Sequence, residues 1–118
     1  MSKNEMELYF GRKALDDAIL TGENQIFLSA SPLESQLIQE HIIELARSHD
    51  MVLTGNPLVL PNGAMLVFLL TSHRATSGFS GNAYVINCFD ETNFDYINAL
   101  ASSWAMRKKH RAVFFSIN

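Results

Sequence analysis

The chain contains one cysteine, Cys88, so no internal disulfide can staple it. A lone thiol in an apolar stretch favours a reducing compartment, and a cytoplasmic protein is expected. The opening residues Met1-Ser2-Lys3-Asn4-Glu5-Met6-Glu7 are polar and carry acids, which excludes a signal peptide there. Long hydrophobic runs are also missing. The longest, Ala64 to Leu70, falls far short of the ~20 residues of a membrane span, so no membrane association is expected. Metal-ligand spacings are absent as well. There is no C-x-x-C and no H-x-x-x-H, and His41 and His49 stand about two helical turns apart. Neither a metal nor any other cofactor is expected.

Charge is scarce and unevenly placed. Twelve acids against nine bases give a net charge of −3 and a pI of about 5.7, which argues against whole-molecule steering toward nucleic acid or anionic lipid. Across residues 51–89 Arg74 is the only charged side chain. Only the C-terminal end is locally basic, through Arg107-Lys108-Lys109-His110-Arg111.

What remains is the composition of a folded chain. At 118 residues and 47% apolar content it fits one domain, 1–118, with a core of its own. Residues 5–21 read as a helix: Leu8, Leu15, Ala18 and Ile19 form a partial stripe, Lys13 and Asp17 are an i,i+4 pair, and Gly22 is a stop. Gly11 marks a break or a close contact. A strand over Gln25 to Ala30 precedes Ser31-Pro32-Leu33-Glu34, which has the pattern of a capping box opening a helix over 32–48. There Leu33, Leu37, Ile38, Ile42, Leu45 and Ala46 define the inner stripe, with Glu34 on the other side.

Extended chain over Met51 to Thr54 bends at Gly55-Asn56-Pro57. Asn62-Gly63 then joins Leu58-Val59-Leu60 to Ala64–Leu70 in a hairpin. The second of these strands does not alternate, so both its faces must be covered. A polar loop over 72–82 leads to a strand over Ala83 to Phe89. Asp90 or Thr92 caps a helix with Phe94, Ile97, Leu100, Ala101, Trp104 and Ala105 inward, and Ala112 to Ile117 forms a last strand. The order α-β-α-β-β-β-α-β predicts an α+β domain. Its antiparallel or mixed sheet of about five strands carries both long helices on one face, as a variant of the ferredoxin-like sandwich.

No constellation in the sequence identifies a chemistry. Cys88 has apolar strand neighbours that raise a thiol pKa, so an inert buried cysteine is favoured over a nucleophile. Gly78-Phe79-Ser80-Gly81 lacks the lysine and spacing of a phosphate-binding loop and is not G-x-S-x-G. His73, Arg74, Thr76, Ser77, Phe79 and Ser80 nevertheless make the 72–82 loop the candidate ligand or partner site. Arg107, Lys108, Lys109 and Arg111 are the candidate nucleic-acid contacts, with Phe114 and Phe115 placed to stack a base. Cations at a helix end also have a structural use, since they complement the helix dipole.

The sequence therefore predicts a non-catalytic protein-interaction module. A charge-poor sheet that pairs with a partner or a second copy is its basis, and a regulator, adaptor or inhibitor working as a homodimer is the expectation. A nucleic-acid-binding module using the basic cluster is the alternative, and a small enzyme or ligand-binding domain the third reading.

Overall fold

The computed structural model describes residues 2–71, 79–106 and 110–116. Along them run α1 (Lys3–Thr21), β1 (Gln25–Ser29), α2 (Pro32–Arg47), β2 (Leu58–Val59), β3 (Met65–Leu70), β4 (Asn82–Ile86), α3 (Phe94–Ala105) and β5 (Ala112–Phe115). The expected order of elements and the mixed five-stranded sheet are both present.

Local chemistry accounts for the element boundaries. Helix α1 starts earlier than its apolar periodicity suggests, because the Ser2 hydroxyl accepts from the Glu5 N–H and the Glu5 carboxylate reaches back to the Ser2 N–H. It ends at Gly22, whose φ of 73° is a left-handed cap. Gly11 causes no break; an added Cβ there would stand 3.3 Å from Ile42 Cγ1, so it lets α1 lie close to α2. In the hairpin the Gly63 N–H closes a turn onto the Leu60 carbonyl at 2.9 Å. Of Asn62 and Gly63 only the glycine takes a positive φ, 89°. Met51 to Thr54 forms no strand; instead the Asn56 side chain bonds the N–H and carbonyl of Phe68, standing in for a neighbouring strand.

Sheet order is β2-β3-β1-β4-β5. Strand β1 pairs in parallel with β3 on one side and β4 on the other, and β4 pairs in parallel with β5. Only the short β2 is antiparallel, against β3. The register aligns Phe27 with Phe68 and Tyr84, and their rings stack at centroid distances of 5.3 and 4.8 Å. Phe10 of α1 extends this aromatic layer by stacking on Phe115 at 4.3 Å.

The helices are placed differently from the sequence expectation. Helices α1 and α2 cover the face that carries Phe27, Phe68 and Tyr84. Helix α3 covers the opposite face, with Ile97, Ala101 and Trp104 against Ile26, Leu28, Val67 and Val85. Helices α2 and α3, the two expected on one face, therefore lie on opposite faces, and the pattern is doubly wound rather than ferredoxin-like. Parallel pairing is the reason. A right-handed crossover from β1 to β3 runs opposite in direction to those from β3 to β4 and β4 to β5, so it must use the other face. Phe79, on the β3-to-β4 connection, packs with the α3 side as this rule requires.

Burial corrects three smaller expectations. Leu33 is 66% exposed and Leu37 also faces out, while Glu34 turns inward in line with Ile38, Ile42 and Ala46. Asp17 pairs with Arg111 of the distant β5 approach, not within its own helix. Phe94, expected inward, is half-exposed at the first position of α3. The scarcity of charge across residues 51–89 has a direct source. That segment contains β3 and the fully buried β4, whose side chains meet helices on both faces.

Two glycines test this packing. A Cβ on Gly81 would lie 2.3 Å from the Asn24 carbonyl oxygen, so Gly81→Ala should displace backbone and cost about 3 kcal/mol. Gly11→Ala meets only a side-chain methylene, and the helix-propensity gain of about 1 kcal/mol should offset the squeeze. Urea midpoints of the two variants should therefore differ clearly, with Gly11→Ala near wild type.

Candidate functional site

The parallel strands all end at one edge of the sheet, at Ser29, Leu70, Ile86 and Phe115. Chain leaving β1 goes to one side through α2, while chain leaving β4 goes to the other through α3. Between β1 and β4 the two connections diverge, and such a switch point leaves a crevice where open α/β sheets hold ligands. Its walls are Ala30–Ser31 and the turn over residues 87–93. Helices α1 and α2 both begin here, since Lys3 in the first turn of α1 reaches Glu34 in the first turn of α2 at 2.6 Å.

The β4–α3 turn is tightly laced. Asn87 adopts a φ of 46° and donates its N–H to the Phe115 carbonyl at 2.9 Å. Asp90 Oδ1 accepts from the N–H of Thr92, the Thr92 hydroxyl and the N–H of Asn93, at 2.8, 2.5 and 3.1 Å. These bonds, those from Thr92 foremost, hold the Asp90 carboxyl below the usual carboxylate range. The Asn93 side chain accepts from the Asp90 N–H and donates to the Cys88 carbonyl. It makes no side-chain cap on α3, and neither Asp90 nor Thr92 occupies the cap position. Beside the turn lies a shallow concavity of about 310 Å³ lined by Phe89, Asp90, Glu91 and Phe94.

At the start of α2, Ser31 accepts from the Glu34 N–H at 3.3 Å, but Glu34 turns to Lys3 instead of reaching back to Ser31. Only half of the expected capping box forms. The hydrogen bond from Lys3 to Glu34 pushes the lysine pKa up. Glu7 of α1 is buried nearby, and burial first, then the Glu34 charge, push its carboxyl up. Cys88 is only 7% exposed; burial drives its thiol up to about 11, and Sγ lies 3.6 Å from the Leu28 carbonyl. A thiol in that state is a packed donor, not a nucleophile.

Of the residues singled out from sequence, only some lie among the described residues. His73, Arg74, Thr76 and Ser77 lie outside the described residues, although their loop leaves the sheet at Thr71, whose N–H bonds the Ser29 carbonyl. Phe79 and Ser80 belong to the opposite edge: Phe79 packs under α3, and the Ser80 carbonyl accepts from the Asn24 side chain at 3.2 Å. Arg107, Lys108 and Lys109 also lie outside the described residues. Arg111 is at the start of β5, ion-paired with Asp17 and donating its N–H to Asn82 Oδ1 at 2.8 Å. Phe115 is stacked on Phe10 and unavailable to a base, and Phe114 packs against Phe89 and Phe94.

Lys3, Glu7 and Glu34 are the residues that sequence reasoning passed over. A signal was present: Glu7 lies on one helical face with Gly11, Ala14 and Ala18, so its carboxylate points where small residues let α2 approach. Among the described residues no three His, Cys, Asp or Glu side chains gather as a metal site, and no helix is long and apolar enough to cross a membrane. A thiol reagent should modify Cys88 slowly in the folded chain near neutral pH and rapidly in urea, by a factor of about a hundred or more; equal rates would show an open β4–α3 turn.

A family model for the N-terminal part of terminase large subunits of the T4likevirus type matches residues 8–118. Over 109 residues the chain is 43% identical to the "Terminase, ATPase subunit" of Escherichia phage P2. It is 41% identical over 109 residues to the "Probable terminase, ATPase subunit" of Haemophilus phage HP1 (strain HP1c1). Each match covers 92% of this chain and 18% of the relative, so the chain spans under a fifth of the length of the curated relatives it matches. Relatives named as ATPase subunits overturn the expectation of a non-catalytic interaction module and of a protein with no enzymatic role. Part of the charge-poor segment has a packing explanation, because it contains β3 and β4, which meet helices on both faces. The chain belongs to the family of terminase large subunits, T4likevirus-type, N-terminal.

Proposed function

We propose that this chain is the sheet-bearing part of the ATPase unit of a phage terminase large subunit, acting in the cytoplasm, with nucleotide held at the β1–β4 switch point to drive DNA packaging. One observation carries the reading. The doubly wound parallel sheet opens its crevice at the edge where both α1 and α2 present their N-termini, and helix N-termini with strand C-termini are how such sheets take phosphate-bearing ligands. The ATPase names of the phage relatives supply the reaction class.

The division of labour follows from what the chain contains. Its sequence has no G-x-x-x-x-G-K-[ST] loop. The proposal gives this chain the sheet, the crevice walls at Ser31 and Asn87–Asn93, and the paired helix starts. It gives the phosphate-binding lysine to the remainder of the longer subunit. The bonded Asp90–Asn93 turn keeps one wall in place without help from a ligand.

A chimera tests the reading. Residues 8–118 replace the matching segment of the phage P2 subunit, and ATP hydrolysis is measured with and without linear DNA. The chimera should turn over ATP within about tenfold of its parent, a barrier change of about 1.4 kcal/mol. A folded chimera with no turnover beside an active parent would overturn the assignment.

A further inference from the structure

Glu7 and Glu34 are two acids at the paired helix starts to which the proposed nucleotide site gives no contact with the ligand. Glu7 is 4% exposed and Glu34 6%. In each, Oε1 is shut off from solvent and has no hydrogen-bond partner. The other oxygen of Glu34 is held by Lys3 at 2.6 Å. Ionised carboxylates only accept, so two of them cannot satisfy each other, whereas one proton makes either a donor to the other. Two ionised acids beside one lysine would also leave an uncompensated buried charge.

We infer that Glu7 and Glu34 share a single proton, forming a carboxyl–carboxylate pair that joins the first turns of α1 and α2 with Lys3 as its counter-ion. Glu7 carries the proton, because burial and the neighbouring Glu34 charge both favour its neutral form, while the ammonium of Lys3 sits directly on Glu34. The groups facing the pair are Lys3 from α1, His41 from α2, which acts on Glu7, and the Cys88 thiol after β4, which feels Glu34. A divalent cation fits less well than a proton. It would meet the Lys3 ammonium and the positive ends of two helices. The pair leaves this corner with no net charge, and the inference holds whether or not nucleotide sits nearby.

The sign of the pH effect follows. Glu7 is raised from its ordinary 4.5 in the folded state. Its contribution is therefore whole below the unfolded value and is lost as pH rises through the folded one. Glu7→Gln keeps a donor toward Glu34 at every pH. Thermal unfolding of the full chain should show Glu7→Gln close to wild type at about pH 4.5 and above it at about pH 8. Glu7→Ala should be less stable at both. Carbon-13 NMR of the glutamate carboxyls gives an independent reading: Glu7 should titrate above 4.5, with Glu34 responding at the same midpoint. A Glu7 midpoint at the ordinary value, or a wild-type minus Glu7→Gln difference that does not change with pH, would overturn the shared proton. Shifts of both carboxyl signals on adding magnesium chloride at neutral pH would overturn it in favour of a cation.

Discussion

Strand β1 has no free side. It is hydrogen-bonded in parallel to β3 and β4, and all five of its residues are buried. A strand in that position needs a cover on each face, and the rest of the structure answers that need. Helices α1 and α2 supply one cover, α3 and Phe79 the other. Right-handed crossovers leave no choice about which helix goes where. Burial of β3 and β4 between the two helical layers then accounts for the missing charge in those parts of residues 51–89, since a lysine or glutamate there would be buried without a partner. The stacked rings of Phe27, Phe68 and Tyr84 follow from the same parallel register.

The two edges of this sheet are built for different purposes. At the edge where β1 and β4 begin, side-chain amides bind the strands together. Asn24 accepts from the Met65 N–H, donates to the Ser80 carbonyl and takes the Asn82 N–H on its own carbonyl. Asn82 in turn accepts from the Arg111 N–H, and Asn62 donates to the last carbonyls of α1. This lacing includes residues whose types suggested a ligand loop, and it leaves Gly81 no room for a side chain. At the other edge the connections part, and charged groups meet at the helix starts.

Much of the local structure was legible in the sequence because it is set by neighbours along the chain. Ser31-Pro32 opens α2, Gly22 closes α1, and Gly63 turns the hairpin. Pairing direction was less accessible, since a strand's own residues do not say which way its neighbour runs. The unbroken runs Ile26–Leu28, Met65–Leu70 and Ala83–Ile86 were nonetheless the mark of parallel strands covered twice. Applying that logic to one of them alone gave a sheet with one covered face. The site was harder still. Glu34 has the spacing of a local cap, and only contact with Lys3, 31 positions earlier in the chain, turns it elsewhere. Membership of the terminase family rests on similarity along nearly the whole chain, with no short motif to announce it.

The half-formed cap of α2 has a mechanical meaning. Had Glu34 closed its own capping box, α2 would begin as a self-contained rod resting on the sheet. Because it holds Lys3 instead, the first turns of α1 and α2 are linked as well as packed along Gly11 and Ile42. A push on either helix at that end is therefore borne by both. The two rods form a stiff brace across one face, while α3 on the far side has no comparable tie described to a second helix.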